Sequence, residues 1–318
     1  MNDGVYHVSF PGLGINDIEV NRVAVSVGGF SIYWYGILIA IGFLLALFYA
    51  MKSLKRYGIK QEPFIDCVLA GLVCGVIGAR LYYVIFSWDK YKDNILDIFM
   101  IHNGGLAIYG GIIGGLGAAC VMAKIVKVNI PAMLDIGGTG FLIGQGLGRW
   151  GNFINQEAFG TETDLPWRMV SENTNNVGVH PCFFYESVWC ILGFFVLLFL
   201  SHKWRKFDGQ MFLLYIIWYG FERMIVEGLR TDSLMTPFLG LRVSQILSGI
   251  LVIAGTVLLI LGLKRAKKTA VPVTGEADAV KNEAEEDGNA EKTDEKTSDK
   301  KEPAEEENAE GDNSKSES

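Results

Sequence analysis

The sequence has 318 residues, of which 50% are hydrophobic and 12% aromatic, and its formal net charge is −7 at pH 7. It contains no metal-ligand cluster, nucleotide-binding loop or basic nucleic-acid face, which excludes those functions as first hypotheses. None of the five cysteines belongs to a CxxC pair, so we interpret them as small apolar side chains and predict no cofactor.

The first 30 residues show a weak alternation of apolar and polar side chains and contain few basic residues. They lack the short basic region and the small-residue cleavage site of a removable signal peptide. We therefore expect residues 1–30 to form an extracytoplasmic segment that lies along the outer surface of a membrane.

Seven apolar stretches follow, and each is long enough to cross a hydrocarbon core of about 30 Å. The stretches cover residues 33–51, 64–86, 106–123, 131–149, 184–201, 209–228 and 243–263. They predict an all-α polytopic membrane protein with about seven transmembrane helices, in a domain that covers residues 31–263. The outer loop of this domain, residues 151–181, is long enough to form a small head.

Glycines recur at four-residue spacing in the second, third and fourth stretches. This spacing puts small residues on one face of a helix, where they allow neighbouring backbones to approach closely in lipid. A phosphate-binding glycine loop is the weaker alternative, because no P-loop lysine or Rossmann strand accompanies these residues. The glycines are Gly71 and Gly75, Gly110 and Gly114, Gly111 and Gly115, and Gly140, Gly144 and Gly148.

Basic residues accumulate after the first, third, fifth and seventh stretches. The positive-inside rule places these ends in the cytoplasm and the N-terminus outside, which requires an odd number of spans. The residues are Lys52, Lys55, Arg56, Lys60, Lys124, Lys127, Lys203, Arg205, Lys206, Lys264, Arg265, Lys267 and Lys268.

The C-terminal residues differ in composition from the rest of the chain. From Thr269 to Ser318 there are 17 acidic and 6 basic residues, a net charge of −11, and almost no large apolar side chains. Such a segment cannot bury enough surface to become ordered. We therefore predict that residues 264–318 form a basic stop followed by a disordered, acidic cytoplasmic tail. A solvated appendage is the simpler interpretation of this tail, and a docking segment for a partner is the alternative.

Polar side chains from six of the predicted spans fall at one depth, in the outer half of the bilayer. Each alone is explained as an interfacial anchor, but charge is costly at such a depth, and the coincidence indicates a functional site. Converging arginines suit an anionic phosphate, so we interpret the site as one for a phospholipid headgroup of the outer leaflet. The residues are Tyr35, Arg80, Arg149, Asn152, Asn155, Glu157, His180, Tyr185, Glu186, Arg223, Glu227, Arg230 and Gln245.

The segment GRWGNFINQE, residues 148–157, resembles the signature of the bacterial prolipoprotein diacylglyceryl transferases. The resemblance covers about residues 30–263 and leaves the tail outside. Other blocks resemble the same family in the same order: WYG at 34–36, GARL at 78–81, GGLAIYGG at 104–111, His180-Pro181 with Tyr185-Glu186, and Tyr219-Gly220 with Arg223, Glu227 and Arg230.

The resemblance implies an enzyme of the bacterial cytoplasmic membrane. Such an enzyme moves a diacylglyceryl group from phosphatidylglycerol to the lipobox cysteine thiol in a prolipoprotein signal peptide, and glycerol phosphate leaves. It implies catalytic roles for Arg149, Arg223, Tyr109 and Tyr35. The phosphatidylglycerol-binding residues that it implies are Arg149, Asn152, Asn155, Glu157, Arg80, Arg223, Glu227, Arg230 and His180.

One position departs from the family pattern. Many relatives have a histidine directly before Gly110, where this chain has Tyr109. A histidine is suited to act as a base near neutral pH, whereas an ordinary tyrosine side chain has a pKa of about 10. We therefore expect Tyr109 to donate a hydrogen bond, which leaves the general base unidentified. His102 is equally well explained as an interfacial residue, and His180 precedes a proline and is better explained as shaping the outer loop.

Two rival functions come from other classes of protein. A transporter or channel would also carry polar residues in its spans. Such folds usually show repeated halves and a site at the midplane. This sequence shows no convincing repeated halves, and its polar positions lie to one side of the midplane. A lipid-binding scaffold would need the arginines but not the Asn-Asn-Glu cluster at 152–157. The resemblance favours the enzyme over both.

Overall fold

A computed structural model of the protein describes residues 4–28, 30–92, 94–100, 104–231, 235 and 242–269. All of these belong to the unit Met1–Glu276, and Ala277–Ser318 form a second unit, which lies outside the described residues. The predicted disordered tail therefore falls outside the described part of the chain, and so does His102.

Seven α-helices occur among the described residues, and each coincides with one of the seven predicted apolar stretches. The mostly helical fold is therefore confirmed. Five of the helices are long and apolar enough to cross a membrane, and the other two, the fourth and sixth, carry buried polar residues. The helices are α1 (Trp34–Ser53), α2 (Gln61–Phe86), α3 (Ile108–Ile125), α4 (Ile130–Asn155), α5 (Cys182–Lys203), α6 (Gln210–Leu229) and α7 (Val243–Thr269).

Five short β-strands among the described residues correct the prediction of an all-α chain. A three-stranded antiparallel sheet has the order β2-β1-β5, and β3 pairs with β4 directly before α1. The weak alternation in the first 30 residues reflects the two-residue period of strands that have one buried face. Tyr6 and Val8 lie on the buried face of the first strand, and Val20 is buried on the second. The strands are β1 (Val5–Phe10), β2 (Ile15–Asn21), β3 (Val23–Val27), β4 (Phe30–Tyr33) and β5 (Val170–Ser171).

Helices α2 and α3 pack against each other through their glycines, as the four-residue spacing predicts. A Cβ atom added at Gly78 would lie 2.5 Å from the carbonyl oxygen of Gly110, and one added at Gly114 would lie 2.5 Å from that of Cys74. The two backbones are therefore in direct contact, and these positions have no room for a side chain.

The adjacent glycines Gly110 and Gly111 provide a matched test of this contact. We expect Gly110→Ala to destabilise the protein by about 1–3 kcal/mol, because its methyl group would overlap the backbone of Gly78 and the Cβ of Tyr82. Gly111→Ala should be tolerated, because its Cβ would lie 3.6 Å from that of Ala79. Thermal unfolding of both variants in the same detergent checks this prediction, and equal melting temperatures would contradict it.

Helix α4 lies at the centre of the fold and packs against α1, α5 and α6. Near its beginning, the fully buried Asp135 accepts hydrogen bonds from the backbone N–H groups of Gly209 and Phe212, each at 2.9 Å. Asp135 also lies 3.6 Å from Nε of Arg205. The carboxylate thus satisfies the free N–H groups at the start of α6 and fixes α6 against α4.

Candidate functional site

Helix α4 continues six residues beyond the predicted end of its apolar stretch, to Asn155. Arg149, Asn152 and Asn155 therefore lie on a helix, three residues apart. The prediction that the two asparagines belong to the following loop is wrong. The helix ends where Gln156 adopts a left-handed conformation, with φ of 52°. This turn brings Glu157 back towards the last turn of α4.

Glu157 organises the amides of the two asparagines. Its Oε1 accepts hydrogen bonds from Nδ2 of Asn152 at 3.0 Å and from Nδ2 of Asn155 at 3.2 Å. Arg149 in turn donates from Nη1 to Oδ1 of Asn152 at 3.4 Å. Four of the predicted site residues are thus joined in one hydrogen-bonded network.

Glu186 of α5 is the residue on which three arginines converge. Its side chain is 1% exposed, and its carboxylate pairs with Nε of Arg149 on α4. Nη1 of Arg223 on α6 lies 3.1 Å from its Oε1, and Nη1 of Arg230 lies 3.8 Å from the same oxygen. Arg223 also pairs with the buried Glu227, one helical turn further along α6. We call these five residues the arginine centre.

The charges in the arginine centre are arranged to hold an anion. Three guanidinium groups face two ion-paired carboxylates, and the three arginine side chains are only 14–18% exposed. Because these side chains are largely shielded from solvent, their electrostatic attraction for a phosphate is stronger than it would be at the protein surface. The carboxylates also keep the planar guanidinium groups in fixed orientations, which suits the recognition of phosphate oxygens.

Helices α5 and α6, which carry Glu186, Arg223 and Glu227 of this centre, are held together by two tryptophans. The indole Nε1 of Trp189 donates to the carbonyl oxygen of Trp218 at 3.1 Å, and Trp218 donates to that of Trp189 at the same distance. Their rings stack with centroids 4.7 Å apart. Because Glu186 and Arg223 lie about one turn from these tryptophans, the pair fixes the distance between them.

The segment between α4 and α5 carries a second polar group. Nδ1 of His180 lies 3.3 Å from the hydroxyl of Tyr185, which also accepts a 2.7 Å hydrogen bond from Nε1 of Trp167. The backbone N–H and carbonyl of His180 bond to Thr161 and Gly160. His180 is thus bonded through its backbone within this segment and through its side chain to Tyr185 at the start of α5.

Tyr35 and Tyr109 occupy different surroundings. The ring of Tyr35, at the start of α1, lies directly against Gly151 of α4, where a Cβ would overlap it. Tyr109, on α3, is 42% exposed, and its ring lies 6.5 Å from that of Tyr82. Tyr35 therefore adjoins the GRWGNFINQE segment, whereas Tyr109 is joined to the arginine centre by no described hydrogen bond.

Arg80 has a different environment from the one expected for a phosphate ligand. Its guanidinium donates to the carbonyl oxygens of Asp97 and Ile98 at 2.6 and 2.8 Å and of Gly104 and Gly105 at 2.7 and 2.9 Å. Together with a longer bond to the carbonyl oxygen of Met100, at 3.4 Å, these bonds occupy the five N–H donors and hold together the connection between α2 and α3. The side chain is 6% exposed, so we assign it a role in positioning this connection.

We expect Arg80→Gln to loosen the connection between α2 and α3, because each hydrogen bond of a buried cation contributes about 1.5–3 kcal/mol. Limited proteolysis should cut residues 88–107 faster in the variant than in the unaltered protein. Arg168→Gln is the control, because Arg168 bonds only two carbonyl oxygens of its own turn among the described residues. An unchanged cleavage rate with a large loss of phosphatidylglycerol affinity would show that Arg80 is a phosphate ligand instead.

Sequence reasoning missed the central role of Glu186 and overlooked two further residues. Arg22 donates from Nε to Oδ1 of Asn155 at 3.3 Å and thereby connects the N-terminal strands to α4. Glu222 is 3% exposed and directly precedes Arg223 in α6. A carboxylate inside an apolar stretch is a signal that the sequence contains, whereas nothing local to Arg22 indicates its contact.

The family model and the similar proteins agree on one family. A family model described as "Prolipoprotein diacylglyceryl transferase" matches residues 22–261. A phosphatidylglycerol–prolipoprotein diacylglyceryl transferase of Clostridioides difficile is 44% identical over 239 residues, 75% of this chain and 94% of the relative. Enzymes of the same name from Finegoldia magna and Streptococcus suis are 45% and 40% identical, over 75% and 80% of this chain and 94% and 96% of their own lengths.

Proposed function

Because the chain belongs to the prolipoprotein diacylglyceryl transferase family, we propose that it acts on phosphatidylglycerol and on the lipobox cysteine of prolipoproteins. The protein is a transferase of lipoprotein biosynthesis. The diacylglyceryl group moves to the cysteine thiol, a thioether forms, and glycerol phosphate leaves. No cofactor enters this reaction as we propose it.

The observation that carries the proposal is the convergence of Arg149, Arg223 and Arg230 on the buried carboxylate of Glu186. Phosphatidylglycerol has a phosphodiester with one negative charge, and the reaction converts it into a phosphate monoester with more negative charge. Preorganised guanidinium groups stabilise such a growing charge more strongly in the transition state than in the bound substrate. The arginine centre is therefore suited to the departing phosphate.

The other site residues receive roles that follow from their contacts. Arg149 and Arg223 hold the phosphate, and Asn152 and Asn155 present amides for headgroup oxygens. Glu157 keeps both amides in position through the bonds it accepts. Tyr35, Tyr109, His180, Glu227 and Arg230 complete the proposed site, and Arg80 supports it through the connection between α2 and α3.

We also propose that all seven helices cross the bacterial cytoplasmic membrane. Helices α4 and α6 need no fully apolar surface, because their polar residues face other helices: Asp135, Glu222 and Glu227 are all at most 3% exposed. The basic connections then lie in the cytoplasm with the acidic tail, and the N-terminal strands lie outside with residues 151–181 as a head. This arrangement places the arginine centre at the level of outer-leaflet headgroups.

A direct transfer assay tests the function. Purified protein would be incubated with phosphatidylglycerol and a lipobox peptide, and mass spectrometry would detect a diacylglyceryl thioether on the cysteine. A peptide with serine in place of that cysteine should give no product. If well-folded protein bound phosphatidylglycerol but made no thioether from the cysteine peptide, a lipid-binding function would replace the enzymatic one.

A further inference from the structure

Glu222 has a buried carboxylate that takes no part in the reaction as proposed so far. It lies on α6 and is 3% exposed, yet neither of its oxygens accepts a hydrogen bond from any described residue. Glu186 and Glu227, the two other buried acids of this region, are both engaged in ion pairs with arginines. A buried polar group without a partner is costly and needs an explanation, and a catalytic role is one of those known.

The surroundings of Glu222 place it beside the arginine centre. On α6 it occupies the same face as Tyr215, Tyr219 and Val226, which are spaced at three and four residues. Tyr215 packs against the buried cluster of Leu142 on α4 with Cys190 and Leu197 on α5. Opposite this face, Gln145 of α4, one turn before Arg149, bonds to the hydroxyl of Tyr215 at 2.9 Å. The charged and titratable groups that interact electrostatically with Glu222 are Arg149 of α4, Glu186 and Cys190 of α5, Tyr215, Tyr219 and Arg223 of α6, and Arg230.

We propose that Glu222 is the general base that accepts the proton of the acceptor cysteine thiol, an inference that rests on the transferase function proposed above. The S–H bond breaks and its proton moves to a carboxylate oxygen of Glu222. The thiolate sulfur attacks the glyceryl carbon that carries the phosphate, so that a C–S bond forms and the C–O bond to the phosphate breaks. The electron pair of that bond leaves with the glycerol phosphate, which can then take the proton from Glu222.

The charges in the centre favour this assignment. With Glu222 ionised, its charge and those of Glu186 and Glu227 cancel the charges of the three arginines. When Glu222 takes up the thiol proton, the protein gains one unit of positive charge at the stage at which the leaving phosphate gains one unit of negative charge. The proton transfer thus matches the charge of the site to that of the product.

The other candidate bases are less suited to this step. Protonation of Glu186 or Glu227 would break ion pairs on which the orientation of the arginines depends. The side chain of His180 is bonded to Tyr185 at the start of α5, and no described hydrogen bond joins Tyr109, which is 42% exposed, to the arginine centre. Glu157 forms no ion pair with a described residue, but its Oε1 accepts hydrogen bonds from the amides of Asn152 and Asn155. Among the described acids of the arginine centre and its surroundings, Glu222 alone can accept a proton without disturbing an ion pair or a hydrogen bond.

The test compares Glu222→Gln with the unaltered protein on two lipobox peptides, one with cysteine and one with selenocysteine at the acceptor position. A selenol is ionised at neutral pH and needs no base. We expect the variant to lose about 100- to 10,000-fold in transfer to cysteine. With selenocysteine its rate should come within about tenfold of the unaltered protein, because the nucleophile is already an anion. Glu62→Gln, at the exposed start of α2, is the control and should match the unaltered protein on both peptides.

The outcomes separate this proposal from the transferase function. If the unaltered protein forms no thioether, the transferase function itself fails. If it forms thioether and Glu222→Gln is equally active, or loses the same factor on both peptides while phosphatidylglycerol still binds, Glu222 is not the base. If Glu222→Gln does not fold, Glu222→Asp replaces it. Its ratio of selenocysteine to cysteine rates should exceed that of the unaltered protein, and an equal ratio would overturn the proposal.

Discussion

Replacement of Arg149 by glutamine is expected to reduce diacylglyceryl transfer by about 100- to 1000-fold, the usual cost of removing one preorganised group that stabilises transition-state charge. Arg149 is the arginine that connects the two parts of the site, because it pairs with Glu186 and donates to Asn152. Its loss would remove one positive charge from the proposed phosphate site and leave Oδ1 of Asn152 without this donor. Initial rates of thioether formation, at several phosphatidylglycerol concentrations, measure the effect.

Two further variants make this prediction specific. Arg149→Lys retains the charge but not the planar fork of donors, so it should recover only part of the rate. Arg56→Gln removes an arginine that follows α1 at the opposite end of the fold, where it donates to Ser201 at 3.1 Å, and it should leave transfer unchanged. Equal activity of Arg149→Gln and Arg56→Gln would exclude Arg149 from the proposed phosphate site.

Glu186→Ala is expected to give the largest loss of stability, about 3–5 kcal/mol in the free energy of unfolding, because removal of one partner of a buried ion pair leaves the other charge uncompensated. Here three guanidinium groups would lose their shared carboxylate. They would then repel one another within a region that is largely closed to water. Chemical unfolding in detergent, followed by tryptophan fluorescence, measures the change.

The control for Glu186→Ala is Glu62→Ala, because Glu62 is exposed at the start of α2 and its removal should change stability by about 0.5 kcal/mol or less. Addition of phosphatidylglycerol should recover part of the stability of Glu186→Ala, since the lipid phosphate can replace the missing carboxylate as partner of the arginines. Equal unfolding free energies for the two variants would show that Glu186 is not the anchor of the arginine centre.

The helices were predictable to a degree that the strands were not. Apolar stretches of the length that spans a bilayer are a strong local signal, and each of the seven led to one helix. Strands β1 to β5 have at most seven residues, and β5 has only two. Its pairing with β1 joins residues about 160 positions apart, which no local pattern indicates.

The limits of α4 and the surroundings of Arg80 are two features that local reasoning does not predict. The apolar stretch ends at residue 149, but the helix continues to Asn155 because its polar last turn bonds to Glu157 and Arg22 instead of facing lipid. Arg80 has the depth and charge of a phosphate ligand in the sequence. Only the fold of the connection between α2 and α3 brings the backbone carbonyls around it.

The sequence by itself determined the helices and the glycine contacts between α2 and α3, because hydrophobic length and residue spacing act within one segment. The tertiary structure decided which charges meet. It placed Glu186 between three arginines from α4, α6 and the residue after α6, and it left Glu222 buried without a hydrogen bond among the described residues. Pairing of charges depends on how helices pack and turn against one another, and that is a property of the folded chain rather than of any one segment.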